Sequence, residues 1–416
     1  MNTGIFRSFS LAAILAVQAT GAFAQFTFTL AGDNTTSDPR VPSQLMFDYQ
    51  TPSISAGKIA FYGYGFGPAV FAGVPPTYSV FVDFNTTSPD TISSYNPFST
   101  YPQPIIDEAG RIAMVALTGA HGYAELYQES GVLKLGPATF PGQTIPNGTG
   151  NFNTLRMPWI SNGVLALYGD GSSSQGGIYT SSSLGLTRIV DKATTFPGTG
   201  SSLFESFYTR PGIANGTVMF LGSAQSATLF GVFTAPATGG SLTTVAQSGD
   251  ALPGSAFTLG TLPLARSSNS GVTFYATAQT SSSFTGLYTN VGGPLTKIMD
   301  TSTLIPGSAT ATYTALPGGI TSPLGMDAGQ VVFLAGDTES SNLAIYYWKS
   351  GTVTRVIKKG DTLGGKTVTS LDMGPQPISG NKIAFKATLS NSPSDIQSIW
   401  IATIPGAAVE EWSHYE

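Results

Sequence analysis

Seven short segments of this chain spell one pattern behind a turn: GKIAFYG, GRIAMVA, GVLALYG, GTVMFLG, SGVTFYA, GQVVFLA and NKIAFKA. Their first apolar anchors are Ile59, Ile112, Leu165, Val218, Val272, Val331 and Ile383, so the steps are 53, 53, 53, 54, 59 and 52 residues. A second apolar–aromatic strand follows each, with Phe81, Tyr127, Tyr179, Phe233, Tyr288, Tyr346 and Trp400 as the paired aromatics. A third element reads LTRIV, LTTVA, LTKIM or VTRVI and ends in a turn such as TTFPG or SGDALPG. A fourth carries proline and precedes the next repeat: MFDYQTPSIS, TYPQPII, LRMPWIS, FYTRPGIA, DMGPQPIS. The unit is therefore four strands in about 53 residues.

Successive side chains of a strand point to opposite faces, so one four-stranded unit leaves two apolar faces to cover. Stacking the units face to face around an axis covers both, which is the β-propeller arrangement. The chain ends suggest ring closure. The last repeat stops at SIWIATI, Ser398 to Ile404, without its third element, and FTFTLAGD, Phe26 to Asp33, resembles the VTRVIKKGD that is missing. The expectation is all-β: a seven-bladed propeller of four-stranded blades over residues 25–404, closed by the N-terminal strand. An elongated β-solenoid or two β-sandwiches is the other architecture open to such a pattern, but a solenoid calls for polar capping repeats.

The phrase P-x-I-S-x-x-G-x-I-A-F … G-I-Y … L-T-x-I-V resembles the WD40-like repeat of the TolB type and the tandem-repeat propellers of unknown function in secreted bacterial proteins. The resemblance covers residues 25–404, with SAG, SNG, ANG and DAG turns where the TolB repeat has SPDG. It implies that the proline-bearing strand is innermost and that LTxIV is outermost. The residues themselves leave V-x-F as an alternative inner strand.

Charged residues are 10% of the chain, against roughly 25% in an average domain, while 41% are hydrophobic. That excludes a disordered chain. The net charge of −5 leaves no basic footprint for nucleic acid or an anionic membrane. Residues 1–24 read as a signal peptide, with Arg7, an apolar centre at Leu11 to Val17, and Ala22-Phe23-Ala24 before the cut. The chain has no cysteine, so export would not bring disulfides. The tail, 405–416, is polar and acidic with no lipid-anchor pattern. The expected localisation is secreted and extracellular, as a monomer without a membrane anchor.

Catalytic provision is thin. The two histidines are His121, in a GAHGY loop, and His414, in the tail. No H-E-x-x-H, G-x-S-x-G or phosphate-binding loop is present. No metal or cofactor is expected, and YGDGSSSQGG falls short of a calcium loop. Asp250 and Asp361 share a GD-x-L-[PG]-G turn, with Asp33 expected at the corresponding place, and their repetition marks them as structural. Charge gathers instead near the proline-bearing strands: Asp48, Arg156, Glu205, Arg210, Arg266 and Asp372. Arginine can clamp a carboxylate or sulfate with two hydrogen bonds. The candidate ligand residues are Tyr49, Gln50, Arg156, Trp159, Glu205, Arg210 and Asp372. N-glycosylation sequons stand at Asn34, Asn85, Asn147 and Asn215. The expected function is non-enzymatic recognition of a glycan or an extracellular protein. The alternative is a carbohydrate-active hydrolase or lyase using Glu205, Asp48 or Asp372 at the channel.

Overall fold

The computed structural model describes residues 25–86, 95–96, 103–118, 122–129, 132–135, 144–171, 175–182, 185–314, 323–338 and 343–406. The proposed signal peptide, His121 and His414 lie outside them. Among the described residues every regular element is a β-strand, and the sheets are antiparallel and arranged as a propeller.

The first strand of each sheet touches the first strand of the next. Ser53–Ser55 meets Ile105–Ile106, which meets Phe152–Ser161. Contacts continue through Ser206–Ala214, Leu264–Ser268, Leu324–Asp327 and Ile378–Ser379, and the last returns to Ser53–Ser55. These are the proline-bearing strands, so they are innermost and the V-x-F strand is second. The physical reason is that an inner strand is a sheet edge facing the channel. Proline, which has no N–H to give to a ladder, is tolerated there.

Six blades are complete in the described residues, where the repeat predicts seven. The second repeat forms the sheet Ile105–Ile106, Ile112–Thr118, Gly122–Glu129 and Val132–Leu135, with Tyr95–Asn96 added beside Ile112–Thr118. Much of that sheet is described by its backbone pairing alone. The closing blade mixes both chain ends as expected: Thr27–Gly32 pairs with Ile396–Thr403, Thr27 facing Thr403.

The V-x-F pattern serves two cores at once. In Lys58–Tyr64, Ile59 and Phe61 face a cluster with Ala384, Ile399 and Ile401 of the closing blade. Ala60 and Tyr62, on the other face, pack with Ile106, Ile112 and Met114 of the following sheet. Each blade is thus buried on both faces, which removes the usual apolar–polar alternation. The recurring aromatics pair across neighbouring strands: Phe220 with Phe233 at 5.6 Å between ring centroids, and Phe333 with Tyr346 at 5.5 Å. One of the expected aromatics is misplaced. Phe71, not Phe81, stands on the second strand and faces Phe61, and Phe81 sits on the outer strand Thr77–Asp83.

The turn after the outer strand is spelled two ways. In D-x-x-T, the aspartate N–H donates to the threonine hydroxyl, as from Asp33 to Thr36, Asp83 to Thr86, Asp191 to Thr194 and Asp300 to Thr303. In the other spelling the cap is an aspartate: Asp250 accepts from the N–H of Gln247 and Asp361 from that of Lys358. Asp33 therefore corresponds to Asp191 and Asp300, three positions before the place the sequence suggested. Asp300 is fully buried, 2.8 Å from Lys297, and accepts from the Ser302 N–H and hydroxyl and the Thr303 hydroxyl. Burial alone would raise its pKa, but the hydrogen bonds of Lys297, Ser302 and Thr303 outweigh that and lower it. A carboxyl with a lowered folded pKa stabilises above its unfolded pKa and loses this contribution as pH falls through the folded one. Asp300→Asn should cost about 2 kcal/mol at pH 7. In urea unfolding, its deficit against wild type should shrink as the pH is lowered below the ordinary aspartate value; a pH-independent deficit would assign the cost to packing.

Candidate anion-binding chamber in the channel

Two inner strands carry bulges that aim side chains at the axis. The ladder of Phe152–Ser161 slips between Arg156 and Trp159, and that of Ser206–Ala214 slips between Tyr208 and Gly212. Pro158 and Pro211 occupy the two slips, and Met157, just before Pro158, and Thr209, two residues before Pro211, take positive φ values of 61° and 62°. Bulges re-aim residues in this way.

Arg210, inside the second bulge, and Arg266, on the next inner strand, line one chamber of about 590 Å³ with Met157, Tyr208, Phe230 and Met373. Arg210 reaches the Gln103 carbonyl at 3.3 Å. Arg266 is 8% exposed and donates to the carbonyls of Pro375 at 3.3 Å and Ala265 at 2.9 Å. Its guanidinium stacks 5.5 Å from the Trp159 ring centroid. Among the described residues no carboxylate forms an ion pair with either arginine. Burial pushes the Arg210 pKa down to about 10. Burial and the charge of Arg210 push Arg266 down to about 9. Two desolvated like charges without a counter-ion are costly, and an anion between them relieves both terms.

The other sequence candidates divide. Arg156 is half-exposed, 4.0 Å from Asp170 and 5.1 Å over the Tyr168 ring, and does not line the chamber. Tyr49 is fully buried; its hydroxyl donates to the Asp33 carbonyl at 2.6 Å beneath the closing strand, so it is a core residue. Gln50 donates its backbone N–H to the Tyr62 carbonyl and does not line the chamber. Glu205 is exposed and accepts the Ser226 N–H at 2.7 Å, within its own blade. Trp159 lines a second cavity, of about 440 Å³, at the hairpin-turn end of the channel. The sequons Asn34, Asn85, Asn147 and Asn215 are exposed.

Asp372 directly precedes Met373 of the chamber wall and faces Lys386 in register. Asp372 is exposed on one side, yet the desolvation of its inner side raises its pKa against the opposing Met373 N–H and Lys386 charge. Burial lowers Lys386, countered by Asp48 and Asp372. Asp372, a candidate ligand residue, and Asp48, a candidate carboxylate of the hydrolase or lyase alternative, thus both act on the charge of this lysine.

Solved structures with a similar outline share little sequence. An oligogalacturonate lyase in complex with manganese is 11% identical, with a TM-score of 0.47, over 92% of this chain and 97% of that one. The polysaccharide lyase Uly1 is 10% identical, at 0.43, over 90% and 97%. A prolyl endopeptidase is 9% identical, at 0.48, over 86% of this chain and 46% of its own. At this level of likeness they say nothing of its chemistry. No curated protein matches the chain. Residues 29–342 match the family of unknown function DUF7453, and the chain belongs to that family.

Proposed function

We propose that this chain is an exported, seven-bladed recognition propeller that binds a carboxylated or sulfated glycan in the chamber between Arg210 and Arg266. The observation that carries this is two guanidiniums lining one chamber, Arg266 buried and Arg210 partly exposed, with no ion-paired carboxylate among the described residues. Tyr208, Phe230 and Met157 supply apolar wall, and few convergent polar groups on such a wall are the usual make-up of a ligand site. The closed circle of inner-strand contacts supports counting the second repeat's sheet as the seventh blade. The TolB-type likeness of the repeat belongs to this reading for the form of the blade and brings no partner with it. The signal peptide at 1–24, release as a monomer, glycosylation at the exposed sequons Asn34, Asn85 and Asn147, away from the channel cavities, and the absence of nucleic-acid partners also belong to the reading.

A second reading is favoured by one observation, the raised Asp372 carboxyl beside the lowered Lys386 amine. Opposed shifts of this kind suit acid–base work on a bound glycan, as a hydrolase or lyase.

One experiment addresses both. An array of acidic oligosaccharides is probed with wild type, the Arg210→Met/Arg266→Met double variant and Asp372→Asn. Recognition predicts binding to acidic members that falls at least 100-fold in the double variant, each charge-assisted contact being worth roughly 1.5–3 kcal/mol. Shortening of the bound chains, lost in Asp372→Asn, selects the enzyme. No acidic member bound by wild type sinks both.

A further inference from the structure

We propose that the cavity at the hairpin-turn end of the channel is a separate site for a neutral polyhydroxylated ligand, an uncharged oligosaccharide. The turn between the first and second strands of each blade points to this end. It brings Ser161, Asn162, Asn215, Ser268, Asn269 and Ser379 onto one rim. Asn162 and Asn215 stand at φ 49° and 47°, each followed by a glycine of positive φ, which is the tight Asn-Gly hairpin turn. The turn chemistry that closes the blades thus lines the cavity with short amides and hydroxyls.

Its volume of about 440 Å³ falls within the range of roughly 300–1,000 Å³ usual for ligand sites. Trp159 contributes an aromatic surface to it. Arg266 lines the anion chamber and stacks on that indole, so the two side chains form the partition between the cavities. An aromatic wall below amides and hydroxyls suits a sugar, whose C–H face packs on the ring while its hydroxyls exchange hydrogen bonds. The Ser267 hydroxyl, also among the lining groups, is buried and has no hydrogen-bond partner. Such a group is normally satisfied, and a ligand hydroxyl would satisfy it.

Charge argues for a neutral ligand. The charged residues of the lining are Glu108 and Asp327, on blades that are not adjacent. Glu108 accepts from the Ser161 hydroxyl and the Asn162 N–H, both at 3.3 Å, and Asp327 from the Gly380 N–H at 2.6 Å. They would repel an anion and accept hydroxyls. Among the described residues no group of three acidic or histidine side chains offers to hold a metal ion.

The test is an array of neutral gluco-, galacto- and manno-oligosaccharides, with the best member titrated against full-length protein. Wild type is expected to bind at least one member. Asn269→Trp, which fills the cavity from an exposed turn, should weaken binding at least tenfold, while Arg210→Met leaves it within twofold. Should Asn269→Trp fail to fold, Ser268→Val removes one rim hydroxyl and should weaken binding about threefold. No neutral member bound by wild type, or binding indifferent to both rim variants, overturns the proposal. Neutral binding lost in Arg210→Met would also overturn it, by placing that ligand in the anion chamber. Acidic-glycan binding can fail or hold independently of this result.

Discussion

Removing residues 26–33 is expected to lower the melting temperature by 10 °C or more and to broaden the transition. The strand Thr27–Gly32 is the outer strand of the closing blade. Without it, Ile396–Thr403 becomes a bare edge, open to pairing with other chains. Aromatic contacts go as well: Phe28 against Phe385 at 6.3 Å and Phe26 against Tyr347 at 6.2 Å. So do the carbonyls of Ala31 and Asp33, which accept the hydroxyls of Tyr78 and Tyr49 in the first blade. The strand therefore ties three blades, and a loss on the order of 5 kcal/mol is a large part of the 5–15 kcal/mol that holds a typical domain. Scanning calorimetry checks this. Because Thr27 faces Thr403, a chain with the strand moved behind residue 404 through a short turn should regain the wild-type transition. An unchanged transition in the deletion would mean that the ring does not depend on its closure.

Arg266→Met should act in opposite directions on stability and on binding. In the free protein it removes a buried guanidinium facing Arg210 without a counter-ion, so the variant should be more stable by about 1–4 kcal/mol. In the presence of sulfate the order should reverse, since wild type gains the anion's binding energy and the variant does not. The pH dependence has a definite sign. Arg266 has its folded pKa pushed down to about 9, so anion affinity should fall as pH rises through 9 to 10; an ordinary exposed arginine would hold its charge past this range. Thermal shifts in sulfate and chloride at pH 7 and pH 10 read out both effects. A variant that is destabilised in both salts would make Arg266 a plain structural residue.

The repeat was legible because each V-x-F strand must bury two faces, so its apolar residues recur whatever the loops do. Closure was legible because one outer strand was missing at the end and a matching one stood at the start. The inner strand was indicated only by the TolB-type likeness of the repeat, since the residues themselves left V-x-F open; the edge position that tolerates proline shows in the ring of contacts. Register was harder. Phe81 lies in a strand as apolar as the one holding Phe71, and nothing local says which of them faces Phe61. Asp33 was misplaced by three positions because the turn can be capped by threonine or aspartate, a reciprocity that shows only in the hydrogen bonds.

Within the candidate site, Arg210 was readable from its place beside an inner-strand proline. Arg156 has the same signature, but the bulge at Pro158 sends it outward to Asp170 and Tyr168. Tyr49 looked like a channel residue because it precedes Ser53–Ser55, yet the N-terminal strand covers it. Trp159 and Arg266, more than one hundred residues apart, form one partition that only the ring brings together.

What occupies the space between the two guanidiniums decides whether the chamber is an anion site. The measurement is a crystal of the protein soaked in selenate, a sulfate analogue, with data collected at the selenium edge. The expected result is an anomalous peak within hydrogen-bond reach of both Arg210 and Arg266, absent in Arg266→Met. Selenate bound only at surface lysines, with the chamber left to water, would contradict it.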